Sequence, residues 1–97
     1  MSFLKEIEYN GKSFLVFCPG CGMSHIIRVE PGKIKGPVWK WDGSFDKPTF
    51  SPSIKVTGGP EGNRTICHSF IRNGQWIFLN DCTHDLAGKT VSMEEVI

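Results

Sequence analysis

The feature that most constrains this chain is Cys18-Pro-Gly-Cys21-Gly, which follows directly on the apolar run Phe14-Leu-Val-Phe17. Two thiolates separated by two residues can reach one tetrahedral ion, and the Pro-Gly pair permits the tight turn whose amides face the sulfurs. A redox Cys-x-x-Cys normally opens a helix within a βαβ unit. Here Ile26-Ile-Arg-Val29 follows and reads as strand, so a zinc knuckle is expected. A structural disulfide is the remaining reading, and it belongs to an oxidising compartment. The opening Met1-Ser-Phe-Leu-Lys-Glu6 lacks the basic segment and long apolar stretch of a secretory signal. The four cysteines are therefore expected to be metal ligands in a cytoplasmic protein.

A knuckle is half a site. Cys67 and Cys82 are the expected other half, with His68, His84 and His25 as alternatives for the fourth ligand. Asn73-Gly74 has the residues of a two-residue type I′ turn, which pairs Arg72 with Gln75, Ile71 with Trp76, Ser69 with Phe78 and Cys67 with Asn80. Side chains alternate, so Cys67 and Cys82 fall diagonally on one face. On the other face His68 is diagonal to Asp81, where a carboxylate can orient an imidazole for metal or proton work. The plainer alternative is a half-buried histidine satisfied by its neighbour. His25, four residues after Cys21, reads equally as a ligand or as a strand residue on the surface. Three histidines and four cysteines exceed what one zinc needs, so a second metal is also conceivable. No His-Glu-x-x-His is present, nor is a deaminase pairing of His-x-Glu with Pro-Cys-x-x-Cys.

The rest of the chain reads as turns joining strands. Eleven Gly and six Pro punctuate it, and no long window carries helical periodicity. Asn10-Gly11, Asp42-Gly43 and Asn73-Gly74 are hairpin signals. Strands are expected over Phe3–Tyr9, Lys12–Phe17, His25–Glu30, Val38–Trp41, Phe50–Thr57, Thr65–Arg72 and Gln75–Asn80. Ser92-Met-Glu-Glu95 resembles a capping box, but two residues cannot sustain a helix, so a short strand or frayed turn is expected there. The fold class is mainly β: one domain over 1–97, a small antiparallel sheet or barrel-like arrangement pinned by zinc. A chain of 97 residues buries only about 60% of its unfolded surface, so a metal supplements a thin core.

Charge excludes little but narrows the partners. The net charge of +1 argues against a strong field toward nucleic acid or membrane, and no apolar run approaches the roughly 20 residues that cross a bilayer. Lys33, Lys35, Lys40, Lys47 and Lys55, interleaved with aromatic residues, leave a weak single-stranded nucleic-acid binder as one reading. Trp39 and Trp41 share a strand face; they either cover the core or line a cleft with Asp42 or with Ser51 and Ser53.

Cys18-Pro-Gly-Cys-Gly-x-x-His25, Trp39/Trp41-Asp-Gly, Pro48-Thr-Phe-Ser-Pro-Ser53, Cys67-His-Ser-Phe-Ile and Asp81-Cys-Thr-His84 together resemble a family of short phage and prophage proteins of unestablished function, often labelled "ammonia monooxygenase". The resemblance covers nearly the whole chain. It implies a phage origin, a bacterial host cytoplasm and a metal-binding domain; related domains accompany ubiquitin-like conjugation genes in bacteria. The label itself fits poorly, because a membrane copper enzyme needs spanning segments and other ligands. The leading expectation is a zinc-stabilised binding module, not an enzyme, engaging a host or phage protein. The alternative is a small zinc-dependent hydrolase with His25, His68 and His84 around an open metal position and Asp81 as orienter or base.

Overall fold

The structure is a computed structural model that describes residues 3–94, and all regular structure in it is strand. The strands β1 (Lys5–Glu8), β2 (Lys12–Cys18) and β3 (Met23–Arg28) form a three-stranded antiparallel sheet in chain order. A second antiparallel sheet follows: β4 (Lys40–Trp41), β5 (Phe50–Gly58), β6 (Thr65–Arg72), β7 (Gln75–Phe78) and β8 (Thr90–Ser92), again in chain order. The expected all-β antiparallel fold is therefore present, as two sheets.

Two of the three hairpin signals act as their chemistry dictates. Asn10 and Asn73 have φ of 52° and 51°, followed by Gly11 and Gly74, also at positive φ; both central residues of a type I′ turn require this. Asp42-Gly43 does something else. Asp42 Oδ1 accepts hydrogen bonds from the amides of Ser44 (3.0 Å) and Thr49 (3.2 Å), so the aspartate organises a wider loop between β4 and β5 instead of a two-residue turn.

Alternation in β2 turns Phe14, Val16 and Cys18 inward, and alternation in β6 does the same for Cys67, Ser69 and Ile71. Phe14, Val16 and Ile27 from the first sheet meet Phe50, Ile54, Ile71, Trp76 and Phe78 from the second, and each is at most 3% exposed. Trp76 stacks on Phe78 with centroids 5.5 Å apart, while Phe14 takes the edge of Trp41 at 4.7 Å. The cysteines at the ends of these inward rows bring the metal candidates to one end of the shared core.

Two irregularities shape the functional site. Phe50 pairs with Ile71 but Ile54 pairs with Ser69, so β5 advances four residues while β6 advances two. The surplus pushes the Ser51–Ser53 stretch out of register, as a bulge does when it re-aims a side chain. At the other end, β7 stops at Phe78, and its last ladder pairing with β6 is Ser69↔Phe78. The tail forms strand β8 with Met93 buried beyond it; Glu95 of the capping-box pattern lies outside the described residues. Among the described residues no helix is long and apolar enough to cross a membrane.

Candidate active site and metal centre

The hairpin register read from Asn73-Gly74 holds from Arg72↔Gln75 to Ser69↔Phe78, but the Cys67–Asn80 rung does not form. After Leu79 N–H donates to His68 O (2.9 Å), the chain turns, with Cys82 N–H donating to Leu79 O (3.2 Å). Side chains then replace the missing ladder. The Cys82 thiol accepts from His68 N–H (3.2 Å) and donates to His68 O (3.1 Å). Thr83 N–H donates to Ile66 O (2.9 Å) and Thr83 Oγ1 accepts from Ile66 N–H (2.9 Å). Residues 79–84 thus continue along β6 without a regular ladder, with Asp81 on the outer face beside His68 and His84 toward the knuckle.

On that outer face His68 joins two groups from different elements. Its Nδ1 lies 3.1 Å from Asp81 Oδ2, and its Nε2 lies 3.2 Å from Ser53 Oγ. A carboxylate only accepts, so Asp81 places the imidazole proton on Nδ1 and leaves Nε2 to accept the Ser53 hydroxyl proton. Ser53 reaches this position from the β5 bulge, where its carbonyl is held by the Trp39 indole N–H (3.2 Å). The histidine and aspartate side chains are 24% and 45% exposed, open enough for a substrate to approach.

The metal candidates lie on the inner side. Ligand atoms of Cys18, Cys21, Cys67 and His84 all fall within 4.8 Å of one another, and this is the one such group of three or more among the described residues. The Cys18 and Cys67 sulfurs are 3.7 Å apart, close to the separation of about 3.8 Å that two Zn–S bonds of about 2.3 Å subtend at a tetrahedral ion. His84 Nε2 is buried without a hydrogen-bond partner, and a Cβ on Gly20 would collide with the His84 ring. The glycine of the knuckle is therefore what lets the imidazole in. The donor set, three thiols and an imidazole from three separate parts of the chain, fits a closed structural ion.

The thiols share charge unequally. A hydrogen bond from Cys67, opposed by burial and helped by His25 and the Cys21 amide, pulls the Cys18 thiol down to about 4. Burial, then the Cys18 charge, pushes Cys21 up to about 11. Cys67 is driven well above the usual thiol range, foremost because its proton is donated to Cys18. One thiolate flanked by two proton-bearing thiols is a group poised to exchange protons for a cation.

The remaining sequence candidates are distributed as follows. Cys82 stands outside the ligand group, its thiol engaged by the His68 backbone; the fourth place next to the three cysteines goes to His84. His25, on β3, is buried at 6% exposure, 6.2 Å from the Trp76 ring centroid, and stays out of the group. Trp39 and Trp41 are half-buried, and their indole N–H groups hold the Ser53 and Ser44 carbonyls. They support loops around the site, as Asp42 does. His25, His68 and His84 consequently do not converge on one metal position. The residue that sequence reading placed only as a cleft-lining option is Ser53. Its signal was available in the Gly58-to-Thr65 connection, which sets Lys55 opposite His68 and so brings the Pro48–Ser53 motif alongside the imidazole.

A β domain that presents Ser, His and Asp in hydrogen-bonded series, beside a thiol-rich group that could hold a metal, has the geometry of a serine hydrolase. The chain belongs to the BubE family, whose model, described as bacterial ubiquitination-like system serine protease, matches residues 1–79. Asp81 and His84 lie just past the matched stretch. No curated protein and no solved structure gives a match. The family corrects the expectation of a non-enzymatic module with a zinc-dependent hydrolase as its enzymatic alternative: the family is one of serine proteases, and of the three histidines His84 alone joins the thiol group.

Proposed function

We propose that this chain is a serine peptidase in which Ser53 is the nucleophile, His68 the general base and Asp81 the group that orients it. The observation that carries the reading is the unbroken series Ser53 Oγ–His68 Nε2 (3.2 Å) and His68 Nδ1–Asp81 Oδ2 (3.1 Å). In the first half-reaction Ser53 Oγ bonds to the substrate carbonyl carbon while its proton moves to His68 Nε2. That proton then leaves on the departing amine as the peptide C–N bond breaks, and an acyl-serine ester remains. Water gives its proton to His68 Nε2 as its oxygen bonds to the ester carbon; the acyl C–Oγ bond then breaks, His68 returns the proton to Ser53 Oγ, and the new peptide C-terminus leaves as a carboxylic acid. Asp81 keeps its charge and stabilises the imidazolium. The family description supports a protein substrate within a ubiquitination-like system.

Zinc is the ion that the three thiols and His84 suit best, held as a structural centre. Cys67 precedes His68 in β6 and His84 is three residues past Asp81, so the ion would fasten both segments that carry the base and its orienter. It supplies stability and no catalytic step.

The test is hydrolysis of p-nitrophenyl butyrate by the parent, Ser53→Ala, His68→Ala and Asp81→Asn, with metal content measured on each. Ser53→Ala and His68→Ala should lower kcat by about 10³-fold or more, as removal of triad members does, with metal content unchanged. Asp81→Asn should lower kcat with little effect on KM. Full activity in folded Ser53→Ala would overturn the assignment.

A further inference from the structure

Outside the triad and the metal group, one charged side chain is buried without a counter-charge. Arg28, on β3, is 8% exposed, and among the described residues no acidic group forms an ion pair with it. Its Nε donates to Pro37 O (3.3 Å), and its Nη1 donates to Asn10 O (3.2 Å) and Ile34 O (3.0 Å). Three of the five guanidinium N–H groups are thereby used. The two on Nη2 have no protein partner among the described residues. Nη2 faces Gly36, where an added Cβ would stand 2.8 Å away.

Arg28 and Gly36 both line an open cavity of about 250 Å³ whose other walls include Tyr9, Ile26, Pro37 and Trp39. Side-chain and backbone hydrogen bonds hold the cavity walls. Asn10 pins the 31–37 loop by donating to Ile34 O (2.7 Å) and accepting from Ile34 N–H (3.0 Å), and Trp39 N–H donates to Arg28 O (2.8 Å). A buried cation satisfied only by carbonyl dipoles is costly, and each of the two N–H groups left on Nη2 can make a charge-assisted hydrogen bond to a carboxylate oxygen. Aromatic and aliphatic walls around one charge are the make-up of a small-ligand site.

We propose that this cavity is a carboxylate-binding site: Arg28 Nη2 receives the carboxylate of a peptide, with the adjoining apolar side chain on Tyr9, Ile26 and Trp39. The site is read from its own atoms and stands whether or not the triad is catalytic. Trp39 is nevertheless shared, since its indole N–H holds Ser53 O (3.2 Å). A bound carboxylate therefore lies one side chain from the proposed nucleophile.

The experiment is titration of ¹⁵N-labelled protein with three probes, followed at the Arg28 Nε–H and Trp39 indole N–H resonances. The probes are N-acetyl-Leu-Gly as free acid, the same dipeptide as its amide, and N-acetyl-Leu-Asp amide. The free acid should shift both resonances and bind about 10- to 100-fold more tightly than its amide, the value of a charge-assisted contact. Aspartyl binding equal to that of the free acid would assign the site to side-chain carboxylates, and weaker binding to chain ends; either supports a carboxylate site. Gly36→Ala, which keeps the positive charge but sets a methyl 2.8 Å from Nη2 and so displaces that end of the guanidinium, should remove most of the acid's advantage. Arg28→Gln should do the same if it folds. Equal binding of acid and amide, or shifts that spare both resonances, or Gly36→Ala with undiminished affinity, would overturn the proposal.

Discussion

Stripping the metal should lower the melting temperature by a large and calculable amount. The ligands link the β2–β3 hairpin through Cys18 and Cys21 to β6 through Cys67 and to the segment after β7 through His84. The cysteines are free, so no disulfide joins these segments, and the four ligands come together only in the folded chain, which the ion therefore binds far more tightly than the unfolded one. At free ion a thousandfold above its dissociation constant, linkage contributes about 4 kcal/mol. For a domain under 100 residues each kcal/mol moves the melting temperature by about 4–8 °C, so removal should cost roughly 15–30 °C. That is a large share of the 5–15 kcal/mol that an ordinary domain possesses. The assay is circular dichroism at 215 nm during thermal melts of protein with one equivalent of zinc, with excess chelator, and with zinc restored. A chelated protein that melts within about 2 °C of the loaded one would refute the reasoning, because linkage leaves no route for a ligand to bind only the native state without stabilising it.

Three further outcomes follow from the same geometry. Cys82→Ser should keep both the metal and most of the activity, because a hydroxyl can still accept from His68 N–H and donate to its carbonyl; Cys82→Ala should keep the metal but cost about 1–3 kcal/mol in a urea melt through the unpaired His68 N–H, since the His68 carbonyl keeps its bond from Leu79 N–H. Gly20→Ala should lose metal by elemental analysis while remaining able to fold at low temperature, since its Cβ would occupy the position of the His84 ring. Zinc uptake at pH 7 should release about two protons, from Cys21 and Cys67, whose thiols are held protonated, and none from Cys18, which is already ionised. The sign follows from those directions: acidification returns protons to the ligands and weakens binding. An indicator-dye titration in weak buffer reads the number directly.

Much of the fold was legible because turn chemistry is local. Asn-Gly pairs impose their positive φ angles wherever they stand, so two hairpins and the register from Arg72 to Phe78 could be read from residue order. Asp42-Gly43 misled because an aspartate carboxylate can hold amides farther along a loop, a choice set by Ser44 and Thr49 and not by the dipeptide. The site was harder. The register argument brought His68 to Asp81, and the structure has them 3.1 Å apart, although the ladder from which that register was extended stops at Phe78. Nothing local announces that ending: it depends on Cys82 and Thr83 using side chains where a ladder would use backbone. The same departure moves His84 instead of Cys82 to the knuckle. Ser53 depends on a bulge, where a tertiary fit decides which residues leave the ladder, and the partition of three histidines into a triad, a ligand group and a core depends on both sheets at once.

The most direct test of the account is intact-mass and peptide mapping after treatment with a fluorophosphonate, which reacts with serines activated by a neighbouring base. Addition of one phosphonyl group to the parent, mapped to Ser53 and lost in His68→Ala and Ser53→Ala, is the predicted result. No adduct on the folded, metal-loaded protein, or an adduct that survives Ser53→Ala, would contradict the assignment of Ser53, His68 and Asp81 as a working triad.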